Sequence, residues 1–220
     1  MARIEPQPLG DQAALVYLPD ESAAWRLAEA ARAGNVSWRQ DVVQAYASVA
    51  VFFDLSRINF AGVADWLKSL DYSASAAATP RSIALPCCYE MGPDLARVAD
   101  HVKRSIDDVI ARHLATEYTV YAIGFCPGFP YLGYLPPELC GVPRLPAPRV
   151  RVEPGSVGLT GRQTGVYPLA RPGGWNLIGR TPLELVHVAD EYFPLRVGDR
   201  VRFERIDEVE FRQRLGQRLD

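Results

Sequence analysis

Pro154-Gly155-Ser156-Val157-Gly158-Leu159-Thr160-Gly161-Arg162-Gln163-Thr164-Gly165-Val166-Tyr167-Pro168 alternates short β-prone runs with glycine and proline. Val157 to Thr160 and Gly165 to Tyr167 are each long enough for a strand and too short for a helix, and the residues between them are turn formers. The same rhythm extends outward through Tyr118 to Ile123, Val150 to Val152, Trp175 to Gly179, Leu183 to Val188 and Arg200 to Phe203. Between Gly124 and Pro182 lie 11 of the 17 glycines and 11 of the 18 prolines. Strands so short and so regularly punctuated predict a closed or nearly closed β barrel. A charged helix from about Glu208 to Leu219 is expected to follow it.

Upstream the pattern changes. Ser82 to Pro86 reads as a strand, followed by short helices from about Pro93 to Val102 and from Ser105 to Leu114, with Ser105 capping the second. Helix, turn, helix invites a DNA-binding reading, but Asp107 and Asp108 occupy the end that would face phosphates and the flanks are not basic. Earlier still, Ala13 to Leu18 is a strand, and Asp20 caps a helix with Ala24, Leu27, Ala28 and Ala31 inward and Gly34 at its end. Strands at Val42 to Tyr46 and Ser48 to Phe53 precede a helix from about Asn59 that turns Phe60, Val63, Ala64 and Leu67 inward. Ser73 to Pro80 is small and polar, and reads as a linker. The expected organisation is a β-α-β-β-α domain over 1–78 and a mainly-β domain over 79–220 that begins with two short helices.

Composition excludes several classes. The 220 residues carry 24 Lys+Arg against 26 Asp+Glu and are 48% apolar, which rules out a disordered or strongly basic nucleic-acid-binding chain. Lys68 and Lys103 are the only lysines, so lysine-based covalent chemistry has little to draw on. No apolar run approaches the roughly 20 residues that span a bilayer, and the first residues lack a signal-peptide core, so a cytoplasmic location without membrane contact is expected. Cys87, Cys88, Cys126 and Cys140 have no metal or redox spacing and read as buried free thiols.

His101, His113 and His187 are the only histidines and no two have metal-ligand spacing, so no metal is expected. A nucleophile elbow and a Walker loop are also missing. What stands out is chemical texture: Arg144, Arg149, Arg151, Arg162, Arg171 and Arg180 fall between Leu139 and Leu183 with Glu153 the single acid. Glycines beside them let backbone N–H groups approach a ligand, which suggests a pocket for phosphate or carboxylate. Phe125, Phe129, Tyr131, Tyr134, Tyr167 and Trp175 are interleaved, with Tyr131, Tyr167 and Trp175 the better candidates for a ligand wall.

Several blocks in this region carry a resemblance: Tyr121-Ala122-Ile123-Gly124-Phe125-Cys126-Pro127-Gly128-Phe129-Pro130-Tyr131-Leu132-Gly133, Pro154 to Gly158, Gln163 to Pro168, Pro172-Gly173-Gly174-Trp175 and Ile178 to Pro182. In this order they resemble the family of the 5-oxoprolinase B subunit, also labelled allophanate hydrolase subunit 1, to which a sporulation kinase inhibitor belongs. Gly10-Asp11-Gln12-Ala13 and Gly198 to Phe203 extend the likeness over nearly the whole chain. The resemblance implies an α+β N-terminal domain followed by a cyclophilin-like barrel. It also implies one component of a heteromeric, ATP-dependent hydrolase that opens 5-oxo-L-proline to L-glutamate, paired barrel to barrel with the C subunit of 5-oxoprolinase and working with its A subunit. In such a reaction ATP activates a poorly electrophilic lactam by phosphorylating its carbonyl oxygen. The chain has no Walker loop and no activated nucleophile of its own, so it is expected to be inactive alone. Two other readings accompany the resemblance: an inhibitory binding protein of a sensor histidine kinase, and the carboxyltransferase component of a biotin-dependent urea or amide carboxylase. Neither lysine lies in a biotin-attachment motif, so any biotin would arrive on another chain.

On this reading Arg149 and Arg180 supply cations for the reacting groups, while Gln163 and Thr164 orient the ring amide. Arg162, Tyr167 and Trp175, together with Gly128, Phe129 and Tyr131, are expected to bind the substrate.

Overall fold

The structure, a computed structural model, describes residues 4–73 and 80–219. The chain divides into two compact units, Met1–Thr79 and Pro80–Asp220. Most of the expected linker, residues 74–79, lies outside the described residues.

The first unit contains β1 (Gln7–Pro8), β2 (Ala13–Tyr17), α1 (Glu21–Ala33), β3 (Arg39–Ala45), β4 (Ser48–Phe53) and α2 (Phe60–Ser69). The strands form an antiparallel sheet in the order β1-β2-β4-β3. Helix α1 begins where the Asp20 carboxylate accepts the Ala23 N–H at 2.7 Å, and α2 where Asn59 accepts from Gly62 at 3.0 Å. Their apolar stripes, including Ala24, Leu27, Ala28, Val63 and Leu67, pack with Val16, Val49, Val51 and Phe53 of the sheet. Short β1 has no sequence signal because it consists of a glutamine and a proline.

The second unit contains β5 (Ser82–Cys87), α3 (Leu95–Val102), α4 (Ile106–Ala115), β6 (Tyr118–Ile123), β7 (Pro130–Gly133), β8 (Arg149–Val152), β9 (Ser156–Thr160), β10 (Gln163–Val166), β11 (Arg171–Gly173), β12 (Asn176–Arg180), β13 (Arg200–Arg205) and α5 (Glu208–Arg214). Seven strands form one mixed sheet in the order β12-β9-β10-β7-β6-β13-β5, parallel only between β13 and β5. Cys88, directly after β5, pairs with Arg180 at the end of β12 through backbone hydrogen bonds of 2.8 and 3.0 Å. That bridge joins the sheet's two edges and makes it a nearly closed barrel. Leu85, Val120, Leu132, Val157, Leu159, Val166, Ile178 and Val201 fill its core, with Val98, Val109 and Ile110 of the helices packed into the same cluster. A separate two-stranded ribbon pairs β8 with β11.

Three expectations are corrected. Leu183 to Val188 is not a strand: Glu184 and His187 make only isolated bridges, to Arg218 and Tyr192. Its apolar residues Leu183, Leu185 and Val186 are buried, so their pattern reflects packing and not strand pairing. Helix α5 stops at Arg214 because Gly216 turns left-handed at φ 79°. Strand β7 was hidden by the prolines and glycines on either side of it. Among the described residues no helix is long and apolar enough to cross a membrane.

Candidate functional site

A tight loop joins β6 to β7. Gly124 and Phe129 close it through the Gly124 N–H to Phe129 carbonyl bond of 3.1 Å, and the Cys126 carbonyl accepts from the Phe129 N–H at 3.1 Å. Inside it Phe125 takes a left-handed conformation at φ 66°, which costs an L-residue on the order of 1–2 kcal/mol. Its ring lies across those of Phe129 and Tyr167, at centroid distances of 5.4 and 6.2 Å, and these contacts help hold the loop in that shape.

Phe129 is the hub of the cluster. Its buried ring meets Tyr131 at 4.9 Å, Tyr167 at 5.2 Å and Trp175 at 5.5 Å, all edge to face. Such pairs contribute roughly 0.5–1.5 kcal/mol each beyond the area they bury. Tyr131 lies in β7, Tyr167 follows β10 and Trp175 precedes β12, so three separate strands of the barrel sheet deliver one wall each. Gly173 makes room for the Tyr167 ring, with which a Cβ there would collide.

Together Phe125, Phe129, Tyr131, Arg144, Tyr167, Gly173, Gly174 and Trp175 line a cavity of about 140 Å³. Burial pushes the Tyr131 and Tyr167 hydroxyls above their ordinary pKa, and the nearby charge of Arg144 partly offsets this. Both phenols are therefore neutral donors at physiological pH. Burial likewise raises the Cys126 thiol against the opposing charge of Arg171, so it is not an activated nucleophile.

The structure thus gathers Phe129, Tyr131, Tyr167 and Trp175 into one site and leaves the other candidates elsewhere. Gly128, at φ 71°, turns toward Val186. Arg149 donates from Nη2 alone to both oxygens of Asp94, at 2.7 and 2.8 Å, and Asp94 also accepts the Leu177 N–H at 2.7 Å. Arg162 sits over the Tyr134 ring at 4.6 Å. Arg180 donates to the Pro154 carbonyl at 2.9 Å and borders a different groove of about 560 Å³ with Pro168, Val186 and Leu215. Gln163 begins β10, and Thr164 is buried inside the barrel with its hydroxyl on the Gly158 carbonyl. Phe125, Arg144, Gly173 and Gly174 are the lining residues that sequence reasoning did not select. In sequence Arg144 is one of six similar arginines, and only folding separates it from them.

A barrel of this form and a small α/β unit in one chain define a class. Residues 4–194 match the model of the carboxyltransferase domain, subdomain C and D, and the chain belongs to that family. Among similar proteins is the 5-oxoprolinase B subunit of Escherichia coli O157:H7, 54% identical over 126 residues, which are 56% of this chain and 57% of the relative. The Bacillus subtilis (strain 168) protein of the same name is 47% identical over 135 residues, 60% of this chain and 55% of that one. These matches span little more than half the length of the curated relatives. Of solved structures, TTHA0988 superposes with a TM-score of 0.77 at 35% identity over 90% of this chain and 40% of its own. PH0987 from Pyrococcus horikoshii, described as a conserved uncharacterized protein, superposes at 0.55 and 36% identity, covering 94% of this chain and all of its own. The urea amidolyase of K. lactis shares the fold at 0.77 and 20% identity over 99% of this chain and 16% of its own.

Proposed function

We propose that this chain is the B component of a heteromeric, ATP-dependent 5-oxoprolinase that opens 5-oxo-L-proline to L-glutamate in the cytoplasm. Its partners on this reading are the C component of the enzyme, paired barrel to barrel, and the A component. The barrel is assigned to the cyclophilin-like type, which accords with its mixed sheet and its single closing bridge. The observation that carries the proposal is the 46–54% identity to three bacterial proteins, each named as the B subunit of 5-oxoprolinase.

The aromatic cavity does not fit a nucleotide. The aromatic cavity of about 140 Å³ is too small for a base, a ribose and three phosphates. Arg149, Arg162 and Arg180, the cations that might have held phosphates, are engaged by Asp94, the Tyr134 ring and the Pro154 carbonyl. On this reading the aromatic cavity holds a small organic substrate or completes the site of a partner, and the nucleotide is bound elsewhere in the complex.

Reconstitution tests the proposal. The purified chain alone is expected to release no glutamate from 5-oxo-L-proline with ATP present. Addition of the A and C components of 5-oxoprolinase should restore ATP-dependent release. Equal turnover by those two components with this chain omitted would overturn it.

A further inference from the structure

We propose that the aromatic cavity is a binding site for a small cyclic carboxylate, with Arg144 as the group that anchors the carboxylate. The choice of a lactam ring as ligand rests on the 5-oxoprolinase reading; the anion-and-ring chemistry of the site rests on geometry alone.

Charge accounting selects Arg144. In this part of the chain Arg149 is held by Asp94 and Arg151 by Glu153, while Arg162 stacks on Tyr134 and Arg180 is tied to Pro154. Arg144 makes no ion pair among the described residues, and it is the only cation lining the cavity. No carboxylate lines the cavity either, so an anion entering it meets Arg144 without an opposing charge in the lining. Arg171 is also without an acid, but it is turned to the Cys126 thiol and the carbonyl of its neighbour Ala170 and is not part of the lining.

Shape selects the rest of the ligand. A cavity of about 140 Å³ matches the roughly 150 Å³ known to accept one benzene ring in an apolar interior. Phe129 and Trp175 present apolar walls to such a ring. The neutral hydroxyls of Tyr131 and Tyr167, both within the field of Arg144, can donate to ligand oxygens. Phe125, left-handed and 59% exposed, stands at the edge of this site.

Calorimetric titration of the chain tests the proposal, with 5-oxo-L-proline and pyrrolidin-2-one as probes. The two share the lactam ring, and only the first carries a carboxylate. Saturable binding of 5-oxo-L-proline, at least tenfold tighter than pyrrolidin-2-one, is expected. Arg144→Gln should remove that tenfold preference and Arg144→Lys should keep part of it, with thermal stability unchanged because Arg144 is exposed. Arg151→Gln, on the outer ribbon, should bind as the unsubstituted chain does. No binding of 5-oxo-L-proline, equal affinity for both probes, or full affinity in Arg144→Gln would each overturn the proposal. Active reconstituted complex in which Arg144→Gln leaves KM unchanged would refute the site and spare the 5-oxoprolinase reading. Carboxylate-dependent binding by a chain that supports no turnover with the A and C components would do the reverse.

Discussion

The Nε2 of His113 lies 3.1 Å from the hydroxyl oxygen of Thr164, and both side chains are wholly buried inside the barrel. The Thr164 hydroxyl donates to the Gly158 carbonyl at 2.9 Å, so its oxygen accepts from Nε2–H. Nδ1 then accepts from the Tyr89 hydroxyl at 2.7 Å. The polar chain runs in one direction and ends on a carbonyl, which leaves the neutral imidazole fully satisfied. Thr164 is thereby a structural partner of His113 and does not reach the aromatic cavity.

Burial pushes the His113 pKa down to about 3. An unfolded histidine titrates near 6.5, so between these values the unfolded chain binds a proton that the folded chain refuses. The contribution of His113 is complete above about pH 6.5 and falls by roughly 1.4 kcal/mol per pH unit as the pH drops toward 3. Urea unfolding of the chain and of His113→Leu from pH 4 to 8 checks this. The variant should be less stable at pH 8 and lose less on acidification; parallel curves would refute the assignment.

Asp94→Ala should cost about 2–4 kcal/mol, because it strands the half-buried Arg149 and leaves the Leu177 N–H unpaired. Arg149→Lys, which keeps the charge and loses the guanidinium's second contact, to the Trp175 carbonyl at 3.5 Å, should cost less. Thermal unfolding of the two variants measures the difference.

Adjacent glycines provide a paired test of the cavity wall. A Cβ on Gly173 would collide with the Tyr167 ring, whereas one on Gly174 would meet ordinary contacts at 3.7 Å. Gly173→Ala should displace Tyr167, with a loss of stability of about 1–3 kcal/mol, and Gly174→Ala should be nearly silent. Near-ultraviolet circular dichroism and melting temperature report both effects.

The barrel seam can be probed in the same way. On Gly179 a Cβ would run into Cys87 Sγ and approach the Cys88 carbonyl at 3.1 Å. Gly179→Ala should therefore weaken the Cys88–Arg180 bridge and speed amide exchange at Cys88 and Arg180 ahead of the rest of the barrel. Uniform exchange across the sheet would contradict this.

What was legible in the sequence was local. Asp20, Asn59 and Ser105 mark helix starts through bonds to residues three positions on, and strands such as Tyr118–Ile123 follow from short β-prone runs. Partners far along the chain were not legible: nothing near Arg149 announces that Asp94 will hold it, or that Arg144 will be left without an ion pair beside five aromatic rings brought together from separate segments. The aromatic members Phe129, Tyr131, Tyr167 and Trp175 could be nominated because bulky rings among glycines are conspicuous. Arginines can be told apart only by what surrounds them.

Strand β13 sits between β6 and β5 although more than a hundred residues separate it from β5 in the chain. It is an internal stave delivered late. During synthesis the ribosome has already released β5, both early helices and the aromatic cluster before the residues that bind β5 to the sheet emerge. Until then β5 has a bare hydrogen-bonding edge, and the barrel cannot close around its core. Completion of this unit therefore waits for nearly the last residues described, and the nascent chain must pass that interval with apolar strands exposed.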